Sequence, residues 1–390
     1  MTSLASNGAG ASGNELTIGV PREIKPDEHR VAITPDGVRE VGQYGVHVLI
    51  EAGAGADSSF PDEAYRRAGA EIVADAEEVW ERAGLICKVK EPQPSEFAFF
   101  RPDLTIFTYL HLAAYPGVAD ALVEHGVTGI AYETVTTPEG ALPLLAPMSE
   151  VAGRMSVQIG AHYLERHNGG RGVLLGGAPG VRPARVVVLG AGNVGWNAAW
   201  MAAGLEAEVD LLDRNVDRLR FIDQIQMGRI TTLTSNRGQV ERVVAEADLV
   251  IGAVLVPGGR APVVVTEDMI TEMKQGAVVV DIAIDQGGCI ETSHETSHAD
   301  PVFEKHGVVH YAVGNMPGAV PFTSTYALTN VTLPYLAELA RLGVAEAARR
   351  DRTLALGFNT VDGNVTNEAV AEALGRPHVP LAAALERAGA

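Results

Sequence analysis

Along most of the chain, short apolar runs alternate with stretches whose apolar residues recur every three to four positions. Residues 16–20 form one such run, closed by Pro21, and residues 46–50 and 85–90 repeat the signal, so each is expected to be a strand. Between them, residues 62–69 and 77–83 carry helical spacing. Residues 104–108 make another strand that ends beside His111, residues 118–124 are helical again, and residues 129–132 form a further strand. Strands alternating with helices imply a parallel sheet flanked by helices.

The pattern changes at Pro147-Met-Ser149. Ser149 is placed to cap a helix on which Val151, Met155, Ile159 and Tyr163 share one face, and Asn168-Gly169-Gly170 is its expected end. A Gly/Pro-rich passage, 176–183, leads into the strongest strand in the chain, residues 185–189. Further strands are expected at 208–213, 248–254, 277–281 and 308–313, and a second long helix at 325–342, stopped by Gly343. Beyond it the chain reads as helix and loop. The prediction is an α/β protein with two Rossmann-like, doubly wound, parallel-sheet domains. One domain, residues 147–322, is inserted into a discontinuous partner formed by residues 16–146 and 323–390, with the two long helices as joints. Residues 1–15, rich in Ser, Gly, Ala and Asn, read as a disordered tail.

Composition narrows the function. A chain of 390 residues exceeds what one core usually serves, and 46% hydrophobic residues supply apolar material for two. The formal net charge of −19, with no Lys/Arg run to offset it, excludes a nucleic-acid partner and reads as a solubility feature. Cys87 and Cys289 have no metal-ligand spacing and read as small buried hydrophobes in a reducing compartment. The first residues lack the basic and apolar regions of a secretory signal. No apolar run approaches the roughly 20 residues needed to span a bilayer. A cytoplasmic protein without a membrane partner is expected.

The run Arg185-Val-Val-Val-Leu189-Gly190-Ala-Gly192-Asn-Val-Gly195 passes from a buried strand into a helix. Gly190 permits a tight turn, Gly192 lets the backbone approach a pyrophosphate, and Gly195 allows close helix–strand packing. The helix N-terminus offers unpaired N–H groups to that anion. Asp213 closes the next strand, where a carboxylate hydrogen-bonds ribose hydroxyls and repels a 2′-phosphate, which favours NAD over NADP. Arg214 beside it is a residue type that accommodates such a phosphate.

Outside this motif, Arg30, Lys90, His111 and Asp285 lie at predicted strand ends or in Gly/Pro-flanked loops, where open α/β sheets bind ligands. Taken singly, each has a plainer reading: surface charges for Arg30 and Lys90, a satisfied half-buried histidine for His111, a turn cap for Asp285. His294-Glu295-Thr-Ser-His298 matches the spacing of a zinc-protease helix, but its Thr, Ser, Asp and Pro flanks read as a polar loop, so no metal site is assigned.

Several blocks in order complete the picture. They are Gly19-Val-Pro-Arg-Glu23, Arg30-Val-Ala-Ile-Thr-Pro35, Lys88-Val-Lys90-Glu-Pro92, His111-Leu-Ala-Ala and Ala131-Tyr-Glu133-Thr. Next are Leu144-Leu-Ala-Pro-Met-Ser-Glu150-Val-Ala-Gly153, Gly252-Ala-Val-Leu-Val-Pro-Gly258 and Val280-Asp-Ile-Ala-Ile-Asp285-Gln-Gly-Gly-Cys289. Asn315-Met-Pro317 and Thr323-Ser-Thr-Tyr-Ala-Leu-Thr-Asn330 follow. Over nearly everything after residue 15 the chain resembles the alanine dehydrogenase family, which is related to the nucleotide-binding subunit of proton-translocating transhydrogenase. Asp27, Val194 and Val41 depart from common family residues, none at a catalytic position.

The resemblance implies reversible oxidative deamination of L-alanine to pyruvate and ammonium with NAD, in a homo-oligomer, commonly a hexamer. It implies that Arg30 pairs bidentately with the substrate carboxylate, a task suited to a planar guanidinium. Lys90 would hydrogen-bond the carboxylate and the C2 oxygen. His111 would be the general acid/base on the C2 substituent, and Asp285 would orient substrate and water from the nucleotide domain. Tyr109, Met148, Asn315 and Met316 become pocket walls. Ser149, Arg218, Ser235, Val254, Leu255 and Ile282 join Gly190, Gly192, Gly195 and Asp213 at the cofactor.

Three other readings are weighed. A transhydrogenase-type subunit lacks the counterparts of His111 and Asp285 as a set. An imine-reducing relative that joins an amino acid to a keto acid needs a larger amine pocket. A noncatalytic NAD-binding protein conflicts with an intact Arg30, Lys90, His111 and Asp285.

Overall fold

The computed structural model describes residues 16–254 and 261–388, so the expected tail at 1–15 and the assignment of Leu255 lie outside the described residues. The chain divides into two compact units. One holds the chain up to Lys25, Arg30–Leu142 and Thr329–Ala390; the other holds Pro26–His29 and Pro143–Leu328.

The first unit is built on β1 (Thr17–Val20), β2 (His47–Glu51), β3 (Glu71–Val73), β4 (Leu85–Cys87), β5 (Thr105–Thr108) and β6 (Thr128–Ala131). They pair in parallel in the order β3-β2-β1-β4-β5-β6. The sheet does not end there. The C-terminal segment, read from sequence as helix and loop, contributes Phe358–Val361 and Asn364–Val365 as antiparallel edge strands beyond β6. These strands are short and half polar, so no local period marks them. A partner 231 residues away fixes the first: Thr360 Oγ1 accepts the Gly129 N–H at 3.0 Å. The strand expected at 85–90 stops at Cys87, and the side chain of Lys88 is then fully buried.

The second unit holds β7 (Arg185–Leu189), β8 (Glu208–Asp213), β9 (Thr231–Thr234), β10 (Leu249–Gly252), β11 (Val278–Asp281), β12 (Val302–Lys305) and β13 (Val308–Tyr311). The order is β9-β8-β7-β10-β11-β13-β12, parallel except for β12. Sequence reading missed β9, whose Thr-Thr-Leu-Thr carries no apolar run, and β12. The latter hairpins onto β13 through His306 and Gly307, both at positive φ, the two-residue turn whose twist matches that of paired strands. Along β7 the side chains alternate between two cores. Val186 and Val188 enter one cluster with Val209, Leu211 and Ile251, while Val187 and Leu189 enter another with Leu212 and Val250. That is period-two patterning with both faces apolar, which is why the run reads as continuous Val and Leu.

The long helix runs Ala146–Tyr163, so Ser149 lies inside its first turn and is not its cap; its N–H already donates to the Leu145 carbonyl at 3.3 Å. Pro147, whose missing N–H costs nothing in a first turn, is the true start signal. The helix ends at Tyr163, and Arg166–Asn168 is a separate 3₁₀ turn. The second long helix begins at Pro321, four positions before the expected start, and ends at Leu342 before Gly343 as expected. Both cysteines are buried, and desolvation pushes their thiols up, as suits buried hydrophobes. Among the described residues no helix is long and apolar enough to cross a membrane.

One buried polar group gives the second unit a pH dependence. His310 on β13 is fully buried; its Nδ1 lies 2.9 Å from the Val308 carbonyl and its Nε2 2.7 Å from Thr292 Oγ1. Burial, with Lys305 nearby, pushes its pKa down to about 4 from the ordinary 6.5. Above pH 6.5 both the folded and unfolded forms carry it neutral. As pH falls from 6.5 towards 4, only the unfolded chain takes up the proton, so stability drops by about 3 kcal/mol in all and then levels off. His310→Gln should remove that part of the acid-dependent fall in the urea-unfolding midpoint. Parallel pH curves for the two proteins would clear His310 of the effect.

Candidate active site

In both sheets the strand order reverses once, between β1 and β4 in the first and between β7 and β10 in the second. At such a reversal the loops leaving neighbouring strands part company, and a crevice opens at the carboxyl ends. Many of the residues singled out from sequence lie in the segments that follow these strands, and they are described unit by unit.

In the first unit, Arg30 follows β1 and is 2% exposed, Lys90 follows β4 and is half-buried, and Tyr109 and His111 follow β5. The strands β1, β4 and β5 are successive neighbours, so their carboxyl ends, far apart in sequence, lie side by side. The His111 ring stacks on Tyr109, centroids 5.6 Å apart and planes 3° from parallel. Tyr109 in turn packs against Tyr132, centroids 5.0 Å apart and planes nearly perpendicular. His111 has φ +47°, a left-handed conformation unusual for a residue with a Cβ. Its N–H donates to Glu133 Oε1 at 2.5 Å, and the Leu110 N–H donates to Oε2 of the same carboxylate at 3.2 Å.

Lys90 is held from beneath. Thr108 Oγ1 donates to the Lys90 carbonyl at 2.9 Å. Two residues earlier, the buried Lys88 ammonium lies 3.1 Å from Glu23 and 3.0 Å from Glu96. Burial alone would pull its pKa down, but the two carboxylates more than offset this and keep it above the ordinary lysine value. Glu23 Oε1 also accepts the Val89 N–H at 2.5 Å, so one carboxylate fixes both the lysine and the backbone that leads to Lys90.

In the second unit, the turn from β7 carries Gly190, Gly192 and Gly195. The N-terminus of the Asn193–Gly204 helix has no side-chain cap, and a Cβ on Gly192 would meet nothing within 4 Å. Open space above uncapped amides is what a pyrophosphate requires. A Cβ on Gly195, by contrast, would collide with the Gly190 carbonyl oxygen. Asp213 ends β8; its Oδ2 accepts the Ala191 N–H at 2.6 Å and its Oδ1 the Asn215 N–H at 2.7 Å. Asn215 caps the Val216–Gln226 helix, whose first turn carries exposed Arg218, 3.9 Å from Asp213. The Ser235 N–H donates to the Asp213 carbonyl at 2.9 Å, and Val254 follows β10.

Ile282 and Asp285 lie in the 3₁₀ turn Ile282–Gln286 after β11, with Asp285 exposed. Asp281, fully buried at the end of β11, accepts N–H groups from Ala283 at 3.2 Å, Cys289 at 3.0 Å and Ile290 at 3.1 Å. Desolvation raises its pKa, opposed by those bonds from Cys289 and Ile290. A Cβ on Gly314 would sit 2.8 Å from Asp285 Oδ1, so the Asp285 carboxylate lies against the segment leading to Asn315 and Met316. Asn315, at φ +56°, donates from Nδ2 to Glu28 at 3.1 Å, and Met316 is 2% exposed. Met148 and Ser149 lie half-buried in the first turn of the Ala146–Tyr163 helix.

His294 lies in irregular backbone and His298 at a bend, neither in a helix, so they share no helical face. His294 stacks on Phe303 with centroids 3.8 Å apart. Glu133, Glu23 with Lys88 and Glu96, and Asp281 were given no role by sequence reasoning. Glu23, Lys88, Glu133 and Asp281 stood within motifs already singled out, but the amides that Glu133 serves lie 22 and 23 positions away, which no local signal records.

The comparisons with known proteins agree along the length of the chain. The family described as Alanine dehydrogenase/PNT, N-terminal domain, matches residues 19–152, and its C-terminal domain counterpart matches 156–368. An alanine dehydrogenase of Bacillus subtilis (strain 168) is 56% identical over 95% of this chain and 98% of its own length. One from Mycolicibacterium smegmatis is 55% identical over 93% of this chain and 98% of its own. Among solved structures, an L-alanine dehydrogenase superposes with a TM-score of 0.90 at 50% identity, over 92% of this chain and 99% of that one. A transhydrogenase from Sinorhizobium meliloti gives 0.77 at 25% identity, over 90% of this chain and 99% of that one.

The glycine turn yields a direct test. Gly195→Ala forces the turn and the helix apart, and NADH affinity measured by fluorescence titration should fall by about 1–3 kcal/mol, roughly 5- to 150-fold. Affinity equal to that of the unaltered protein would remove this turn from the binding site.

Proposed function

The chain belongs to the alanine dehydrogenase/PNT family, and from that premise we propose that it catalyses the reversible oxidative deamination of L-alanine to pyruvate and ammonium with NAD. One observation carries the reading. Arg30, Lys90 and His111, three residue types suited to an amino or keto acid, stand in the segments that follow three strands adjacent in one sheet, at its strand-order reversal. The transhydrogenase likeness, at 25% identity, is weaker than the 50–56% seen with alanine dehydrogenases.

The first unit binds the substrate. The Arg30 guanidinium grips its carboxylate with two parallel N–H bonds, and the burial of this residue strengthens the pairing by excluding water. Lys90 donates to the carboxylate and to the C2 oxygen of pyruvate, drawing electron density from C2. His111 takes a proton from the water that adds to C2 in the deamination direction and returns it to the departing nitrogen. In the amination direction it protonates the departing oxygen. Asp285 orients substrate and water.

The second unit binds the dinucleotide. The uncapped amides at the start of the Asn193–Gly204 helix face its pyrophosphate, and Asp213 receives the ribose hydroxyls with the acceptor capacity left after its two backbone bonds. When bound, the nicotinamide supplies the acceptor or donor of the hydride at C2.

The test is oxidation of NADH, followed by absorbance, in pyruvate and ammonium. Turnover that needs all three components supports the reading. Oxidation only with a larger amine in place of ammonium would redirect it to an imine-reducing enzyme. In the same assay His111→Ala should lower kcat by at least about 100-fold with NADH binding retained, and an active variant would take the histidine out of the mechanism. Asp213→Ala should raise the KM for NADH by about 10- to 100-fold while that for NADPH changes far less. An unchanged NADH-to-NADPH ratio would count against the ribose role.

A further inference from the structure

We propose that Glu133 is a positioning residue for His111, its carboxylate locking the histidine backbone in the left-handed conformation that keeps the imidazole stacked on Tyr109. The inference rests on the reading of His111 as the acid/base group.

Two consecutive N–H groups, of Leu110 and His111, converge on the two oxygens of one carboxylate at 3.2 and 2.5 Å. Successive amides directed to one side form a concave donor pair suited to an anion. Here a side chain of the same unit supplies the anion. A left-handed residue with a Cβ is sterically disfavoured and persists only where its surroundings over-determine it. At His111 they do. The amide is held by Glu133, and the carbonyl accepts the N–H groups of Ala114 at 2.8 Å and Tyr115 at 3.0 Å. The ring lies flat on Tyr109.

The support for ring and backbone comes from two adjacent residues. The Tyr132 ring stands nearly perpendicular to that of Tyr109, centroids 5.0 Å apart, and to that of Phe107 at 4.4 Å. Glu133 follows it directly and takes the backbone. The corner leaving β6 therefore sets both the height of the imidazole, through the Tyr132–Tyr109 contact on which its stacking partner rests, and its direction, through the peptide. Without the carboxylate the two amides lose their shared acceptor, and His111 is released towards the more populated right-handed or extended regions. Its Cβ then points elsewhere. A displacement of about 1 Å in a catalytic group costs on the order of 100-fold in rate.

Glu133→Gln keeps the size and one acceptor oxygen but places an NH₂ group against the second amide. The variant should lose about 10- to 100-fold in kcat for pyruvate amination, while the KM for pyruvate and the Kd for NADH stay within about threefold. Its Leu110 and His111 amides should exchange with deuterium faster than in the unaltered protein, read by mass spectrometry with fragmentation across residues 108–114. Glu133→Asp, which keeps the charge on a shorter arm, should recover part of both, and it serves for the same two readouts if the glutamine variant does not fold. Unchanged exchange at these amides, unchanged kcat, or a rise in KM that accounts for the whole loss would each overturn the proposal. Because exchange needs no reaction, faster exchange in a protein that never turned over pyruvate and ammonium would uphold the clamp and overturn the functional reading alone.

Discussion

A parallel sheet that buries both faces leaves no room for a ligand along its strands. In the second unit Val186 and Val188 fill one core while Val187 and Leu189 fill the other, and the next strands repeat the division. Each such side chain, worth about 1.5–3 kcal/mol when fully buried, is committed to packing. Chemistry is therefore displaced to the strand ends, and the reversal of strand order selects which ends lie open. The glycine turn, Ile282 with Asp285, and Asn315 leave the carboxyl ends of β7, β11 and β13, as Arg30, Lys90 and His111 leave those of β1, β4 and β5.

Displacing the chemistry to loops creates a second requirement, since loops are the least constrained part of the backbone. Four carboxylates meet it in the same way. Glu23 binds the Val89 amide, Glu133 those of Leu110 and His111, Asp213 those of Ala191 and Asn215, and Asp281 those of Ala283, Cys289 and Ile290. Each fastens a segment next to a proposed site residue. A carboxylate suits the task because it accepts at two oxygens, and charge-assisted bonds to amides are about twice as strong as neutral ones. Part of the acidic excess of this chain thus serves architecture, beyond the solubility that net charge alone suggests.

The arrangement also shows how a buried group keeps its charge. Lys88 is 0% exposed yet keeps a raised pKa, because Glu23 and Glu96 both lie close enough to replace its hydration. His310 takes the opposite course: with no carboxylate partner among its hydrogen bonds it stays neutral, and its proton affinity falls.

What the sequence determined by itself was whatever lies within one strand or one helical turn. Short apolar runs marked the central strands of both sheets, Gly190-Ala-Gly192-Asn-Val-Gly195 marked the nucleotide turn, and Asp213 marked the end of its strand. In each case the signal is carried by near neighbours in the chain, even where, as for Asp213, the bonds made lie further off. Short polar strands such as Thr231–Thr234 and Phe358–Val361 were invisible, because their stability comes from pairing with strands that already exist. The start of the Ala146–Tyr163 helix was misjudged because Ser149 offered a plausible cap and the first turn is set by Pro147. Only the tertiary structure decided which carboxylate meets which amide. Glu23 and Val89 are 66 residues apart, Glu133 and His111 are 22 apart, and only the folded sheet brings their strand ends side by side.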